Sequence, residues 1–208
     1  LHLSLRRQRQ MCIRDRPATK RNRDPILKAL KKELHGEKEL LEIGSGTGQH
    51  AVYFAKHMPM IIWQTSDQKG NHDAIQSWIK STNSANLKLP LNLEIGSNED
   101  HIKKKYDDVF SSNTSHIMSF KNVEKMFSLV GRILRKNGKF FLYGPFRVNG
   151  YFTSISNEKF NDELNQKDPI MGIRDIEELD KFAIKNSLSN YAFLQMPANN
   201  FLSVWLKI

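Results

Sequence analysis

The chain alternates between short apolar runs and amphipathic stretches for most of its length. Residues 38–43 (KELLEI), 60–67 (MIIWQTSD), 89–95 (LPLNLEI), 106–113 (YDDVFSSN) and 139–146 (KFFLYGPF) are apolar runs of strand length. Bounded by turn residues, such runs suit strands buried on both faces. Between them apolar residues recur at helical spacing. Asp24 and Pro25 open a predicted helix, as N-cap and first helical residue before ILKALKKEL, and Gly36 stops it. Residues 49–58 and 72–82 repeat the helical period, and 123–138 form an amphipathic helix with Gly138 as its C-cap. The polar, Gly- and Asn-rich stretch 147–172 is too long for an ordinary connection and reads as a lid or insertion. A helix over 175–187 and two antiparallel strands, 191–196 and 200–208, close the chain.

This alternation predicts an α/β fold, a mostly parallel sheet with helices on both faces and an antiparallel last strand. In such sheets ligands sit at the carboxyl ends of the strands, near the point where strand order reverses. By that rule residues 44–48, Asp67, residues 94–96 and Asn113 converge on one crevice.

At 208 residues the chain suits one domain with a sizeable core. No apolar run approaches the ~18 residues of a membrane span. The single cysteine, Cys12, excludes an internal disulfide and a thiolate zinc cluster. It fits a reducing, cytoplasmic location. The net charge of +10 is concentrated at one end: residues 1–23 hold eight basic side chains against Asp15 alone, leaving +3 on the rest. A basic arm binds phosphates non-specifically, but a near-neutral body argues against nucleic acid as the partner. Residues 1–16 lack the apolar region and cleavage site of a secretory signal, and MCIRDR resembles a translated sequencing adapter. They read as a disordered or non-native extension, and 17–208 as a single domain.

The candidate chemistry centres on LLEIGSGTGQH. A phosphate-binding P-loop needs a lysine after its last glycine, and none follows Gly48. A dinucleotide fingerprint needs a third glycine where Gln49 stands. The pattern present is Glu42-x-Gly44-Ser45-Gly46-x-Gly48, and an acid there disfavours a pyrophosphate. It suits a cation such as S-adenosyl-L-methionine, which carries an amino group and a sulfonium. Asp67 stands near the ~20-residue offset at which an acid meets ribose hydroxyls. Glu94 and Asn113, at later strand ends, complete the candidate cofactor set. No metal site is expected.

With these residues in place, the chain resembles the class I S-adenosylmethionine-dependent methyltransferases. More narrowly it resembles the methyltransferase-like protein 26 family, also called domain of unknown function 938. The matching stretches are RNRDPIL, LEIGSGTGQHAVYFA, WQTSD, NTSHI, LYGPF, DPIMGIRD and MPANN, covering residues 17 to 208. Glu94 stands where an aspartate is more usual, which keeps the charge. The resemblance implies a Rossmann-like, seven-stranded methyltransferase fold and an enzyme acting on an unidentified acceptor, a small molecule or a protein side chain. The motif NTSH is not the Asn-Pro-Pro-aromatic set of nucleic-acid amino methylases. His116 and Tyr143 are the candidate catalytic residues, with His50 behind them, and Arg21 and Asn22 are candidates for the donor carboxylate or an anionic substrate. A non-catalytic S-adenosylmethionine-binding module or partner subunit is the alternative. Oligomeric state is not legible.

Overall fold

The computed structural model describes residues 17–82 and 84–208; the predicted extension over 1–16 lies outside them. In chain order the elements are α1 (Pro17–Glu33), β1 (Lys38–Ile43), α2 (Gln49–His57), β2 (Ile61–Asp67), α3 (His72–Thr82), β3 (Leu87–Asn92), β4 (Tyr106–Ser112), α4 (Phe120–Ile133) and β5 (Leu134–Gly144). The short strands β6 (Phe146–Val148) and β7 (Tyr151–Phe152), then α5 (Ile155–Lys167), β8 (Arg174–Asp175) and α6 (Ile176–Lys185) follow. Strands β9 (Leu188–Met196) and β10 (Asn200–Lys207) end the chain. Seven strands form one sheet in the order β3-β2-β1-β4-β5-β10-β9, and β7-β6-β8 form a small second one. Pairing is parallel for β1 with β2, β2 with β3 and β4 with β5, while β10 runs antiparallel to β5 and β9. The predicted fold class is therefore present, antiparallel last strand included.

By internal packing the chain falls into two compact units, one ending at Leu93 and one spanning Glu94 to Ile208. The first is centred on β1, whose Leu40 and Leu41 are fully buried together with Phe54, Trp63, Ile26 and Leu30. Each such side chain contributes about 1.5–3 kcal/mol of burial. The second is built on an aromatic cluster. Phe127 meets Trp205 edge-on at 5.0 Å and Phe140 at 5.4 Å, and Phe140 stacks on Trp205 at 5.6 Å.

Four elements differ most from the sequence expectation. Helix α1 does not begin at Asp24; it begins at Pro17 and carries Pro25 inside it. The proline forgoes one intrahelical hydrogen bond, but contacts with α2 hold the turns before it. His50 bonds Asn22 at 2.8 Å, Arg23 lies 4.3 Å over the Tyr53 ring, and the Tyr53 hydroxyl donates to Asp24. Strand β3 starts and ends earlier than 89–95. Thr65 Oγ1 donates to the Lys88 carbonyl at 2.9 Å and Gln64 Nε2 to the Leu89 carbonyl at 2.7 Å, which fixes those residues beside β2.

Helix α4 ends at Ile133, not at Gly138, and the residues after it open β5. Leu134 pairs with Tyr106, and Arg135 bonds Asp107 at 2.7 Å. Gly138 is no helix cap: a Cβ there would lie 2.3 Å from the Asp107 carbonyl oxygen, so the position serves close strand approach. Finally, the predicted lid contains regular structure. Only Asn157 and Leu164 are buried on α5, too few to create a legible apolar period. Ser154 caps that helix by accepting from the Asn157 amide at 3.1 Å.

Candidate functional site

In the first unit, β1 delivers Glu42 to the edge of the glycine loop. The carboxylate is buried, and its Oε2 accepts from Ser45 Oγ at 2.8 Å and Trp63 Nε1 at 3.1 Å. Burial pushes the Glu42 carboxyl up to about 7, against lowering by the Trp63 and Ser45 bonds. Gly44 and Ser45 donate their amides to the Ser66 carbonyl at 3.1 and 2.9 Å, tying the loop to β2. Gly44, Gly46 and Gly48 adopt φ of 74°, 61° and 87°, the left-handed region that side chains avoid. A Cβ at Gly46 would meet nothing within 4 Å among the described residues, whereas one at Gly48 would come 3.2 Å from Ile75 Cα. The loop is bare because its path requires it, and the space beside Gly46 is open.

Asp67 ends β2 and fastens the loop from the other side. Its Oδ2 accepts from the Gly46 amide at 2.6 Å, and its Oδ1 from the Gln68 amide and Asn71 Nδ2, both at 2.8 Å. A carboxylate offers about four acceptor sites, so Oδ2 retains capacity for one more hydrogen. Two residues past the loop, His50 Nε2 donates to Asn22 Oδ1 and its ring stacks on Phe54 at 5.2 Å. Burial, with Arg23 nearby, holds the His50 imidazole down at about 4. Asn22 thus braces α1 on α2, and Arg21 is exposed on the same helix.

In the second unit, Glu94 is exposed in the turn where its carbonyl accepts from the Ser97 and Asn98 amides at 3.1 Å. Asn113 follows β4 at φ 59° and donates its amide to the Tyr143 carbonyl at 2.8 Å. The tyrosine itself is a core side chain, 1% exposed. His116 is 5% exposed, and its Nδ1 is buried without a hydrogen-bond partner among the described residues. Burial, reinforced by the Arg174 charge, holds it down at about 4. Helix α5 contributes Phe160, edge-on to the His116 ring at 5.4 Å, and Gly172 donates its amide to the His116 carbonyl at 2.9 Å.

Sequence reasoning missed Trp63, Phe160 and Arg174. Arg174 anchors the turn by donating to the carbonyls of Ser115 (3.0 Å), Ile170 (2.8 Å) and Met118. The stretches DPIMGIRD and WQTSD hold two of the three, but their roles depend on partners remote in sequence. Among the described residues there is no His/Cys/Asp/Glu group able to hold a metal, and no helix long and apolar enough to cross a membrane.

Residues 14–207 match the family described as "Protein of unknown function (DUF938)". The fold is shared with an O-methyltransferase family protein from Burkholderia thailandensis, 10% identical with a TM-score of 0.77 over 88% of this chain and 55% of that one. It is shared equally with an O-methyltransferase family 2 protein from Planctomyces limnophilus, solved with apigenin, at 13% identity and TM-score 0.72 over 85% and 52%. CalO1, a methyltransferase in calicheamicin biosynthesis in its SAH-bound form, is 9% identical with TM-score 0.68 over 85% and 50%. The chain spans about half the length of these structures. At such identities the likeness is one of fold.

Proposed function

The chain belongs to the family described as protein of unknown function (DUF938), and from that premise we propose that it is an S-adenosyl-L-methionine-dependent methyltransferase. The acceptor in this reading is a small molecule or a protein side chain, and the chain is read as kin to the methyltransferase-like protein 26 family. One observation carries the proposal: a loop with three left-handed glycines, braced beneath by Glu42 and Ser45 and fastened by Asp67 through the Gly46 amide.

The residues fit the donor. The open space beside Gly46 admits a ligand against bare backbone, and the remaining acceptor capacity of Asp67 Oδ2 suits a ribose hydroxyl. Gln49 is buried where a dinucleotide site needs its third glycine, which supports the methyl donor over a nicotinamide cofactor. When bound, S-adenosyl-L-methionine supplies an activated methyl group on sulfur. The chain's own residues hold and orient it, and positioning supplies much of the rate in such displacements. Gly44, Ser45, Gly46, Gly48 and Asp67 are the proposed holders. Glu42 keeps the loop in shape, and Arg21 with the Asn22 amide nitrogen is proposed for the donor carboxylate. Glu94 and Asn113 remain donor assignments, and His116 and Tyr143 acceptor assignments, proposed from the strand-end rule.

The non-catalytic alternative draws support from His116, which with a pKa near 4 is a weak base. Calorimetric titration with S-adenosyl-L-methionine and, separately, NADH tests the main reading. Micromolar donor binding that Asp67→Ala abolishes, with no heat from NADH, supports it; the reverse pattern refutes it. Donor consumption in the presence of extract metabolites then separates enzyme from binding module.

A further inference from the structure

Gly144, at the end of β5, differs from the other glycines of the second unit. Gly96 combines φ 96° with a Cβ position only 2.3 Å from Asn122 Oδ1, and Gly138 is crowded by the Asp107 carbonyl. Each excludes a side chain for a local reason. Gly144 has no positive φ, and among the described residues a Cβ there would meet only His116 Nδ1 at 3.8 Å and Asn113 Oδ1 at 4.0 Å, ordinary contact distances. The residue is nevertheless buried. Room for a methyl-sized group therefore lies beside it, with two polar atoms on its wall.

Those atoms define what belongs there. His116 Nδ1 is buried without a partner among the described residues, and leaving such a group unmatched is costly. Asn113 directs Nδ2 to Ser112 Oγ at 3.2 Å, which leaves its Oδ1 to accept. A neutral imidazole with its proton on Nε2 presents Nδ1 as a second acceptor. The Arg174 guanidinium, anchored on the Ser115, Met118 and Ile170 carbonyls, keeps the local field positive and disfavours a cation.

Resting on the methyltransferase reading, we propose that this space receives the reactive group of the acceptor, that the group is an uncharged O–H or N–H donor, and that Gly144 sets its size. Hydroxyls and un-ionised amino groups qualify. The ammonium of a lysine side chain does not.

The test uses the full chain with ¹⁵N-labelled histidine rings, saturated with S-adenosyl-L-homocysteine at pH above 7, and titrated with phenol, aniline and benzylammonium. Phenol or aniline shifts the His116 Nδ1 resonance, benzylammonium leaves it in place, and Gly144→Ala removes the shift. A response to phenol alone assigns a hydroxyl, one to aniline alone an amino group, and one to both the shared chemistry. Three outcomes overturn the inference: silence toward both neutral probes, an equal response to all three, or a shift that persists in Gly144→Ala. Failure of S-adenosyl-L-homocysteine to give binding heat overturns instead the methyltransferase reading beneath it.

Discussion

The glycine loop of the first unit and the Asn113–His116 turn of the second handle polar groups in opposite ways. In the loop the polar side chains are matched internally: Glu42 by Ser45 and Trp63, Asp67 by three donors, two of them backbone amides. In the turn, Ser115 Oγ and His116 Nδ1 are buried unmatched among the described residues, and His116 Nδ1 faces a glycine that no backbone constraint requires. A matched loop is a rigid platform whose shape is set before any ligand arrives. An unmatched turn holds its hydrogen-bonding capacity in reserve. The lesson is that bare backbone has two uses, one conformational and one volumetric, and only the surrounding contacts distinguish them.

The largest effect expected from breaking this contrast comes from Asp67→Ala. It strands the Gly46 and Gln68 amides and Asn71, and at about 1–3 kcal/mol per unmatched group urea denaturation should report a loss of about 3 kcal/mol. Comparable in size is a pH effect. The folded chain keeps the Glu42 proton up to about 7, while the unfolded chain releases it near 4.5. The Glu42 contribution to stability therefore falls as pH rises between those values, by about 3 kcal/mol, and Glu42→Gln should remove it, so that denaturation midpoints rise more steeply with pH than in the parent chain. His50 and His116 act with the opposite sign. Their imidazoles stay neutral down to about 4 in the folded chain against 6.5 unfolded, so each removes stability as pH falls through that window.

A smaller effect is expected at Gly48→Ala. The φ of 87° and the 3.2 Å approach to Ile75 Cα should cost about 2 kcal/mol, most of it left-handed strain. Gly144→Ala sharpens the comparison by its silence. With ordinary φ and no clash, it should leave the denaturation midpoint unchanged or raise stability by up to ~1 kcal/mol. A loss as large as at Gly48 would show that Gly144 is structural after all.

These differences also explain what the sequence could say. The loop was legible because its requirement is local: glycines spaced for a left-handed path, with acids at fixed offsets before and after. The alternation of runs likewise sufficed for the sheet, because a strand buried on both faces has few polar positions. Three features resisted because they depend on pairing across the chain. Pro25 sits inside a helix because Asn22, Arg23 and Asp24 meet α2. Residues after Ile133 enter a strand because Leu134 finds Tyr106. His116 packs against Phe160, supplied by the segment that reads as a polar insertion, and its turn is anchored by Arg174 just after that segment. His116 itself was legible as a candidate, yet its depressed basicity was not.

The central claim is that the loop over residues 44–48 is the donor platform. Amide hydrogen exchange of the full chain, with and without saturating S-adenosyl-L-homocysteine, tests it most directly. Slowed exchange is expected at Gly44, Ser45, Gly46 and Gly48 and at the Gln68 amide held by Asp67, with smaller changes elsewhere in the first unit. Ligand-bound protein whose exchange at these amides is unchanged would contradict it.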